Sequence, residues 1–355
     1  MHMADALLSP AVGGFFWLAS AGLIGYSSRK ITGEKEQVSV KTPLMGVMGA
    51  FVFAAQMINF TIPGTGSSGH LGGGLILAAM LGPYRAFITL ASVLVIQCLF
   101  FADGGLLALG CNIFNLAFFP AFIAYPFIYK VIAGKSLNSG RLAIASISAA
   151  EAGLLMGAFS VVMQTSLSGI SELPFGTFIL FMMPVHSAIG IAEGLATWGV
   201  LQFVAKTQPA LLADTRKASS PAILIATFAA ATIVLGGFIS WFASPHPDGL
   251  EWSTAKVAGV EELADAGDRI HRLTAAVQDK LAFFPDYSLG RRSEKEGPVS
   301  GSPVKFSTTI AGLVGGVLVF TVAGVLGILF RKKKENGDFH GNNGKCEHAP
   351  GTEHS

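Results

Sequence analysis

The sequence predicts an all-α, polytopic membrane protein with about nine transmembrane helices and a small helical domain in an extracytoplasmic loop. Of its 355 residues, 51% are hydrophobic and only 13% are charged, which is too apolar for an ordinary soluble protein. Apolar runs of about membrane-spanning length recur along most of the chain. The net charge of +2 is small and the basic residues are scattered, so no nucleic-acid-binding surface is predicted.

Eight apolar runs have about the length that crosses a bilayer. They cover residues 11–28, 44–60, 86–102, 106–129, 142–168, 177–204, 222–242 and 307–330. A ninth run at 71–82 is too short to face lipid along its whole length, but Gly72, Gly73 and Gly74 permit close packing. We therefore expect a buried or partly re-entrant helix there.

Basic residues predict the orientation, because short cytoplasmic loops carry an excess of Lys and Arg. The first loop holds Arg29, Lys30, Lys35 and Lys41, which places it in the cytoplasm and the N-terminus outside. With nine crossings, every other short basic cluster is also cytoplasmic, as is the C-terminus. This count requires residues 71–82 to cross, because omitting them would invert everything that follows.

The long interruption at 243–304 is predicted to be an outside loop. It opens with Ser-Pro-His-Pro-Asp-Gly-Leu-Glu-Trp, and residues 257–281 have the apolar spacing of an amphipathic helix. A polar tail, 331–355, follows the last span and is expected to be disordered. The three cysteines form neither a disulfide framework nor a CxxC metal site.

The first three residues, Met1-His2-Met3, suggest a metal chelate. If Met1 keeps a free amine, that nitrogen, the amide nitrogen of His2 and the His2 imidazole can bind one ion in fused rings. His70, on the same predicted face, could supply a fourth nitrogen. Four nitrogens in a plane suit Ni²⁺ or Cu²⁺, and related sites take Co²⁺. No signal peptide of the usual form, whose cleavage would destroy this chelate, is evident.

Two ionisable residues, His186 and Glu193, lie inside an apolar run and are seven positions apart, on one helical face. They could be a structural polar pair, or they could act behind the metal ligands or along an ion path. Glu151, inside another run, allows the same interpretations.

Two other functions remain open from the residues alone. The stretch Gly66-Ser67-Ser68-Gly69 matches the Gly-x-Ser-Gly pattern of intramembrane serine proteases, with His186 as a possible base. The chain also contains no Gly-x-x-x-x-Gly-Lys-Ser/Thr loop, so uphill transport would need an ATPase subunit or an ion gradient. A gradient-driven metal carrier would use Glu151 or Glu193 as its proton site.

The chain resembles the CbiM/NikM family, the substrate-specific membrane components of energy-coupling factor transporters for cobalt and nickel. The resemblance rests on Met1 to Pro10, on Ser68-Gly69-His70-Leu71 within 66–73, and on His186 through Gly194. Pro247-Asp248-Gly249-Leu250-Glu251 resembles the small CbiN/NikN-type PDGLE component, here fused to the first. Met3-Ala4-Asp5-Ala6 departs from the Ile-Pro-Asp/Glu-Gly of many relatives.

This resemblance implies a transporter component and not an enzyme, with Met1, His2 and His70 as metal ligands and no cofactor besides the transported Ni²⁺ or Co²⁺. It implies a transmembrane coupling protein (CbiQ/NikQ-like) and a cytoplasmic ATPase (CbiO/NikO-like) as partners in the lipid of the inner membrane. The implied division is a metal-binding membrane domain at 1–205, a cytoplasmic linker at 206–221, a PDGLE/CbiN-like region at 222–330 and the tail at 331–355.

Overall fold

The computed structural model describes residues 2–33, 38–134, 138–212, 222–260, 263, 267–288 and 302–330. These residues are mainly helical. The longer helices are α1 (Pro10–Gly33), α2 (Val38–Gln56), α3 (Gly74–Leu81), α4 (Pro83–Phe101), α5 (Leu109–Ala133), α6 (Ser139–Ser168), α7 (Phe175–Thr207), α8 (Ala222–Gly237), α9 (Gly249–Ala258), α10 (Arg269–Leu281) and α11 (Ser302–Leu329). Met1 and the tail at 331–355 lie outside the described residues, as does most of the linker.

Five helices in the described part of the chain are long and apolar enough to cross a membrane. They are α4, α5, α6, α7 and residues Phe306–Leu329 of α11. The apolar α8 has only 16 residues, and α1 and α2 are not among the five. The chain is therefore a helical membrane protein, but the predicted count of about nine spans is not confirmed.

The short helix α3 occupies the run predicted at 71–82. Its eight residues are all buried and extend about 12 Å, whereas a bilayer core is about 30 Å thick. It begins after Gly73, whose φ of 73° is left-handed, and ends at Gly82, after which Pro83 starts α4. It leads away from His70, and α4 returns to Asp103, beside His2. The chain thus runs away from the two histidines and back through α3 and α4, although α3 alone is too short to cross a bilayer.

A small β-hairpin departs from the all-α prediction. Strands β1 (Phe60–Ile62) and β2 (Ser67–Gly69) pair antiparallel, with Thr61 opposite Ser68. The turn between them uses Gly64 and Gly66 at φ 78°, a conformation that glycine adopts without strain. The glycine-rich stretch was predicted as a turn before His70, but the pairing of its two sides was not.

The two C-terminal apolar helices, α8 and α11, pack against α2. Close approach depends on small residues, as is usual between helices in lipid. A Cβ added at Gly46 of α2 would lie 2.7 Å from the carbonyl oxygen of Phe320 in α11. A Cβ at Gly312 of α11 would overlap the Gly236 backbone of α8. The fused region is therefore packed tightly onto the rest of the bundle.

The segment predicted as an outside loop contains two helices, and its predicted amphipathic helix at 257–281 is divided between them. Helix α9 packs on α7 and β2, and α10 packs on α4. Asp248 caps α9: its Oδ1 accepts hydrogen bonds from the amides of Leu250 (2.8 Å) and Glu251 (2.9 Å), while Glu251 Oε2 accepts from the Asp248 amide (2.9 Å). This capping box fixes the start of α9.

Candidate metal centre

The N-terminal segment is held inside the protein and not left on its surface. Asn112 of α5 accepts a hydrogen bond from the Met3 amide at 2.7 Å and donates through Nδ2 to the Met3 carbonyl at 3.2 Å. The amide of Gly105 donates to the same carbonyl at 2.9 Å. Asp5 Oδ1 accepts from the Ala108 amide at 2.9 Å. These contacts fix the position of His2.

The rings of His2 and His70 lie side by side. Their centroids are 5.1 Å apart and their planes differ by 12°. His70 stands at the end of β2 and is 8% exposed. Its Nδ1 is 3.1 Å from the Leu71 carbonyl, so a proton on Nδ1 would make Nε2 the ligating nitrogen. Burial lowers the pKa of His70 to about 3, which keeps the imidazole neutral, the form that binds metals.

Sequence reasoning missed Asp103, which contacts His2, and Tyr287, which contacts Asp103. Asp103 Oδ1 lies 3.0 Å from His2 Nδ1, and the Tyr287 hydroxyl donates to Asp103 Oδ2 at 2.6 Å. Although burial acts in the opposite direction, His2 and this hydroxyl hold the pKa of Asp103 well below its usual range. The predicted fused-ring chelate would use Nδ1 of His2, so an ion bound there would have to displace Asp103 from that nitrogen.

His186 of α7 lies in the wall of a cavity beside His70. The cavity has a volume of about 10 Å³, which is near the minimum that holds one water. Its lining is formed by Gly69, His70, Gly72, Leu116, Leu154, His186, Ile189, Asp248 and Gly249. The start of α9 therefore reaches the cavity beside His70 through Asp248 and Gly249.

Glu193 lies two turns further along α7, away from this cavity. Its carboxylate accepts hydrogen bonds from the amides of Gly72 at 3.1 Å and Gly73 at 2.9 Å. Gln56 Nε2 donates to the Gly72 carbonyl at 2.9 Å. Non-helical backbone inside a membrane protein must be satisfied in this way. The arrangement gives Glu193 an anchoring contact to the chain that leads from His70 into α3.

Gly249 permits the close approach of α9 to α7. A Cβ at this position would lie 2.7 Å from Val185 Cγ1 and 3.1 Å from His186 Cε1. We expect Gly249→Ala to destabilise the protein by about 1–3 kcal/mol, the usual cost of overpacking. Thermal unfolding followed by tryptophan fluorescence would measure it, with Gly176→Ala as control because a Cβ there meets nothing within 4 Å. Equal melting of both variants would contradict this packing.

His271 connects α10 to the N-terminal segment. Its Nε2 lies 3.1 Å from the Asp5 carbonyl and 3.0 Å from the Leu8 carbonyl, and its Nδ1 lies 2.9 Å from Asp268 Oδ2. All three partners are acceptors, so the doubly protonated ring satisfies the most contacts. Burial acts to lower the pKa of His271, but the contact with Asp268 raises it overall.

This contact predicts a pH dependence. A raised folded-state pKa stabilises the protein fully below the unfolded value of about 6.5, and the contribution is lost as pH rises through the folded pKa. Hydrogen exchange of the Leu7 and Leu8 amides, corrected for intrinsic rates, should therefore accelerate from pH 6 to pH 8.5. In His271→Gln that pH dependence should disappear. A wild-type protein with equal protection at both pH values would exclude it.

Ser68 does not have the geometry of a nucleophile. Its hydroxyl lies 2.8 Å from the carbonyl of His246 and 3.2 Å from that of Pro247, both acceptors. His186 Nδ1 is directed to the Met182 carbonyl of its own helix. Among the described residues, no hydrogen bond joins Ser68 to His186. Nor do three His, Cys, Asp or Glu side chains in this part of the chain group closely enough to hold a metal by themselves.

The chain matches two family models. The model described as the cobalt uptake substrate-specific transmembrane region, CbiM, matches residues 2–211, and that of the PDGLE domain matches residues 222–332. A protein of Archaeoglobus fulgidus named as a fused nickel transport protein, NikMN, is 30% identical over 331 residues, covering 91% of this chain and 96% of the relative. The cobalt transport protein CbiM of Sorangium cellulosum is 27% identical over 216 residues, covering 60% of this chain and 94% of its own.

A solved structure is also similar. It is described as a transition metal transporter, is 30% identical, and superposes with a TM-score of 0.51 over 58% of this chain and 93% of its own length. Relatives named for nickel and for cobalt are thus both found among the similar proteins.

Proposed function

Because this chain belongs to the CbiM family and carries a PDGLE domain, we propose that it is the ion-capturing membrane subunit of an ATP-driven importer of Ni²⁺ or Co²⁺. Its relatives are named as transport proteins, and the fold is that of a membrane protein. The transported ion is bound and released by nitrogen ligands without bond-making chemistry, so the subunit is not an enzyme.

The observation that carries this proposal is the contact of the His2 and His70 rings, 68 positions apart in sequence, at the buried end of a fixed N-terminal segment. The proposed ligands are the Met1 amine, the amide and Nδ1 nitrogens of His2, and His70. Two imidazole side chains and two backbone nitrogens supply four ligands in a plane, so no third metal-binding side chain is required. This set of nitrogen donors suits Ni²⁺, Cu²⁺ and Co²⁺.

The neighbouring residues have different proposed roles. Asp103, held by Tyr287, keeps His2 in place before the ion arrives and yields Nδ1 to it. His186 is not a direct ligand in this proposal; it lines the same cavity as His70 and influences the ion from there. Glu193 fixes the backbone after His70 through Gly72 and Gly73, and this hydrogen bonding favours an anchoring role over an ion path.

We further propose an inner-membrane location with the metal centre outside and the C-terminus in the cytoplasm. Arg29 and Lys30 support this orientation, because they lie at the end of α1 opposite the one near His2. We also propose a metal-binding membrane domain at 1–205, a cytoplasmic linker at 206–221, a PDGLE/CbiN-like region at 222–330 and a cytoplasmic tail at 331–355. A transmembrane coupling protein and a cytoplasmic ATPase are the proposed partners, since the chain has no phosphate-binding loop of its own.

Uptake of radioactive Ni²⁺ and Co²⁺ by cells would test this function. Cells that express the chain with a coupling protein and an intact ATPase should accumulate the ion, and an ATPase lacking its phosphate-binding Lys should prevent accumulation. Uptake that survives loss of the ATPase would favour the gradient-driven carrier with Glu151 or Glu193. A proteolytic activity that Ser68→Ala abolishes and His2→Ala leaves intact would favour the serine protease. The observed contacts of Ser68 do not support that function.

A further inference from the structure

His186 has one ring nitrogen in a hydrogen bond and one that meets no hydrogen-bond partner in the described part of the chain. Its Nδ1 lies 2.8 Å from the carbonyl oxygen of Met182, one helical turn earlier. A carbonyl only accepts hydrogen bonds, so Nδ1 carries the proton and Nε2 keeps its lone pair. The residue is 1% exposed, and Nε2 has no hydrogen-bond partner among the described residues. A buried acceptor of this kind is costly unless something fills the space beside it.

The cavity beside His186 fits such an occupant. Its volume of about 10 Å³ is close to the minimum for one water, and a buried water needs two to four polar partners. His186, His70 and Asp248 all line this space. The remaining lining is glycine backbone and apolar side chains, so polar groups come together here from α7, from the end of β2 and from the start of α9.

We propose that His186 holds a water in this cavity and that the water is an axial ligand of the ion bound by His2 and His70, so that His186 favours Co²⁺ relative to Ni²⁺. The inference rests on the proposed function. The water donates one hydrogen to His186 Nε2 and directs an oxygen lone pair to the ion. His186 is thus a positioning residue that acts through water.

The structure favours a water-mediated contact over direct ligation by His186. Within the described residues, no three metal-binding side chains form a group that could share an ion, so His2, His70 and His186 do not form a ready three-histidine site. A hydrogen bond from Nδ1–H to a backbone carbonyl also fixes the ring orientation and raises the basicity of Nε2. A fixed, neutral acceptor is what an ordered water requires.

The discrimination follows from the preferences of the two ions. Ni²⁺ is satisfied by four nitrogens in a plane, and a strong planar field weakens any axial bond. Co²⁺ has one electron fewer and takes a fifth ligand in such a field. An axial water therefore adds more to Co²⁺ binding than to Ni²⁺ binding, and its loss should change the ratio of the two affinities.

The test measures Kd for Co²⁺ and Ni²⁺ on the purified full chain and on two variants, His186→Leu and His186→Gln. In His186→Leu the Co²⁺ affinity should fall on the order of tenfold, the lower end of what loss of an outer partner costs, while the Ni²⁺ affinity changes much less. His186→Gln should recover most of the Co²⁺ affinity, because the amide oxygen can accept from the same water. Equal losses for both ions in His186→Leu would overturn the proposal.

Electron paramagnetic resonance of the Co²⁺-loaded wild type in ¹⁷O-enriched water provides a readout that does not depend on any variant folding. A coordinated water should broaden the Co²⁺ lines, and the broadening should be absent in His186→Leu. Unbroadened lines in the wild type would refute the axial water directly. Failure of the wild type to bind either ion would instead refute the proposed function, so the two failures are distinguishable.

Discussion

Adding a single residue before Met1 is expected to abolish stoichiometric binding of Ni²⁺ and Co²⁺. The extension converts the proposed amine ligand into an amide and moves the new amine out of the fused rings. Asn112 also holds both the amide and the carbonyl of Met3, so the segment cannot shift to let the new amine take the place of the old one without breaking these hydrogen bonds. Since a ligand is lost outright, affinity should fall by more than the roughly 10–100-fold that removal of an outer partner costs.

Titration calorimetry on the purified protein would measure the effect. The matched variants are His2→Ala, which removes the imidazole but keeps the amine, and a one-residue extension after Ser355, which should bind as the wild type does. Stoichiometric binding that persists with the added N-terminal residue would mean that the ion is bound elsewhere. The His2–His70 contact would then need another explanation, such as a structural stack.

The spacing of apolar runs and basic loops predicted that His2 and His70 lie on one face of the protein, and the structure brings their ring centroids to 5.1 Å. The hydrogen-bond partners of the centre could not be predicted in the same way. Asp103 contacts His2, and Tyr287 contacts Asp103. Both residues lie between helices, so their neighbours depend on how those helices pack in the folded protein. A single Asp after an apolar run carries no local sign of that role.

The β-hairpin and the short α3 show a second limit. Hydropathy over 44–60 and 71–82 indicates apolar segments, but it does not show where the helix stops. The pairing of Phe60 with Gly69 keeps the start of this stretch in a hairpin, and the left-handed Gly73 precedes the first helical residue. Helix α3 therefore has only eight residues. The number of spans was therefore the weakest part of the fold prediction, because hydropathy does not locate the end of a helix.

Replacing Glu193 is expected to have the largest effect on stability. In Glu193→Ala the amides of Gly72 and Gly73 lose their acceptor, and each buried unpaired donor costs roughly 1–3 kcal/mol. Glu193→Gln should be milder, because the amide oxygen can still accept one of the two hydrogen bonds while its NH₂ group faces the other donor. We expect the melting temperature in detergent to fall in the order wild type, Gln, Ala.

Glu151→Gln is the matched control, since this carboxylate also lies in the bundle but accepts a side-chain hydrogen bond, from Ser187 Oγ at 2.8 Å. A glutamine there can still accept that bond, so it should melt near the wild type. Because Gly72 is two residues from His70, Glu193→Ala should also weaken ion binding, even though Glu193 touches no proposed ligand. If Glu193→Ala kept its stability but lost transport, the carboxylate would belong on an ion or proton path. Joint loss of stability and binding would make it the anchor that orients His70.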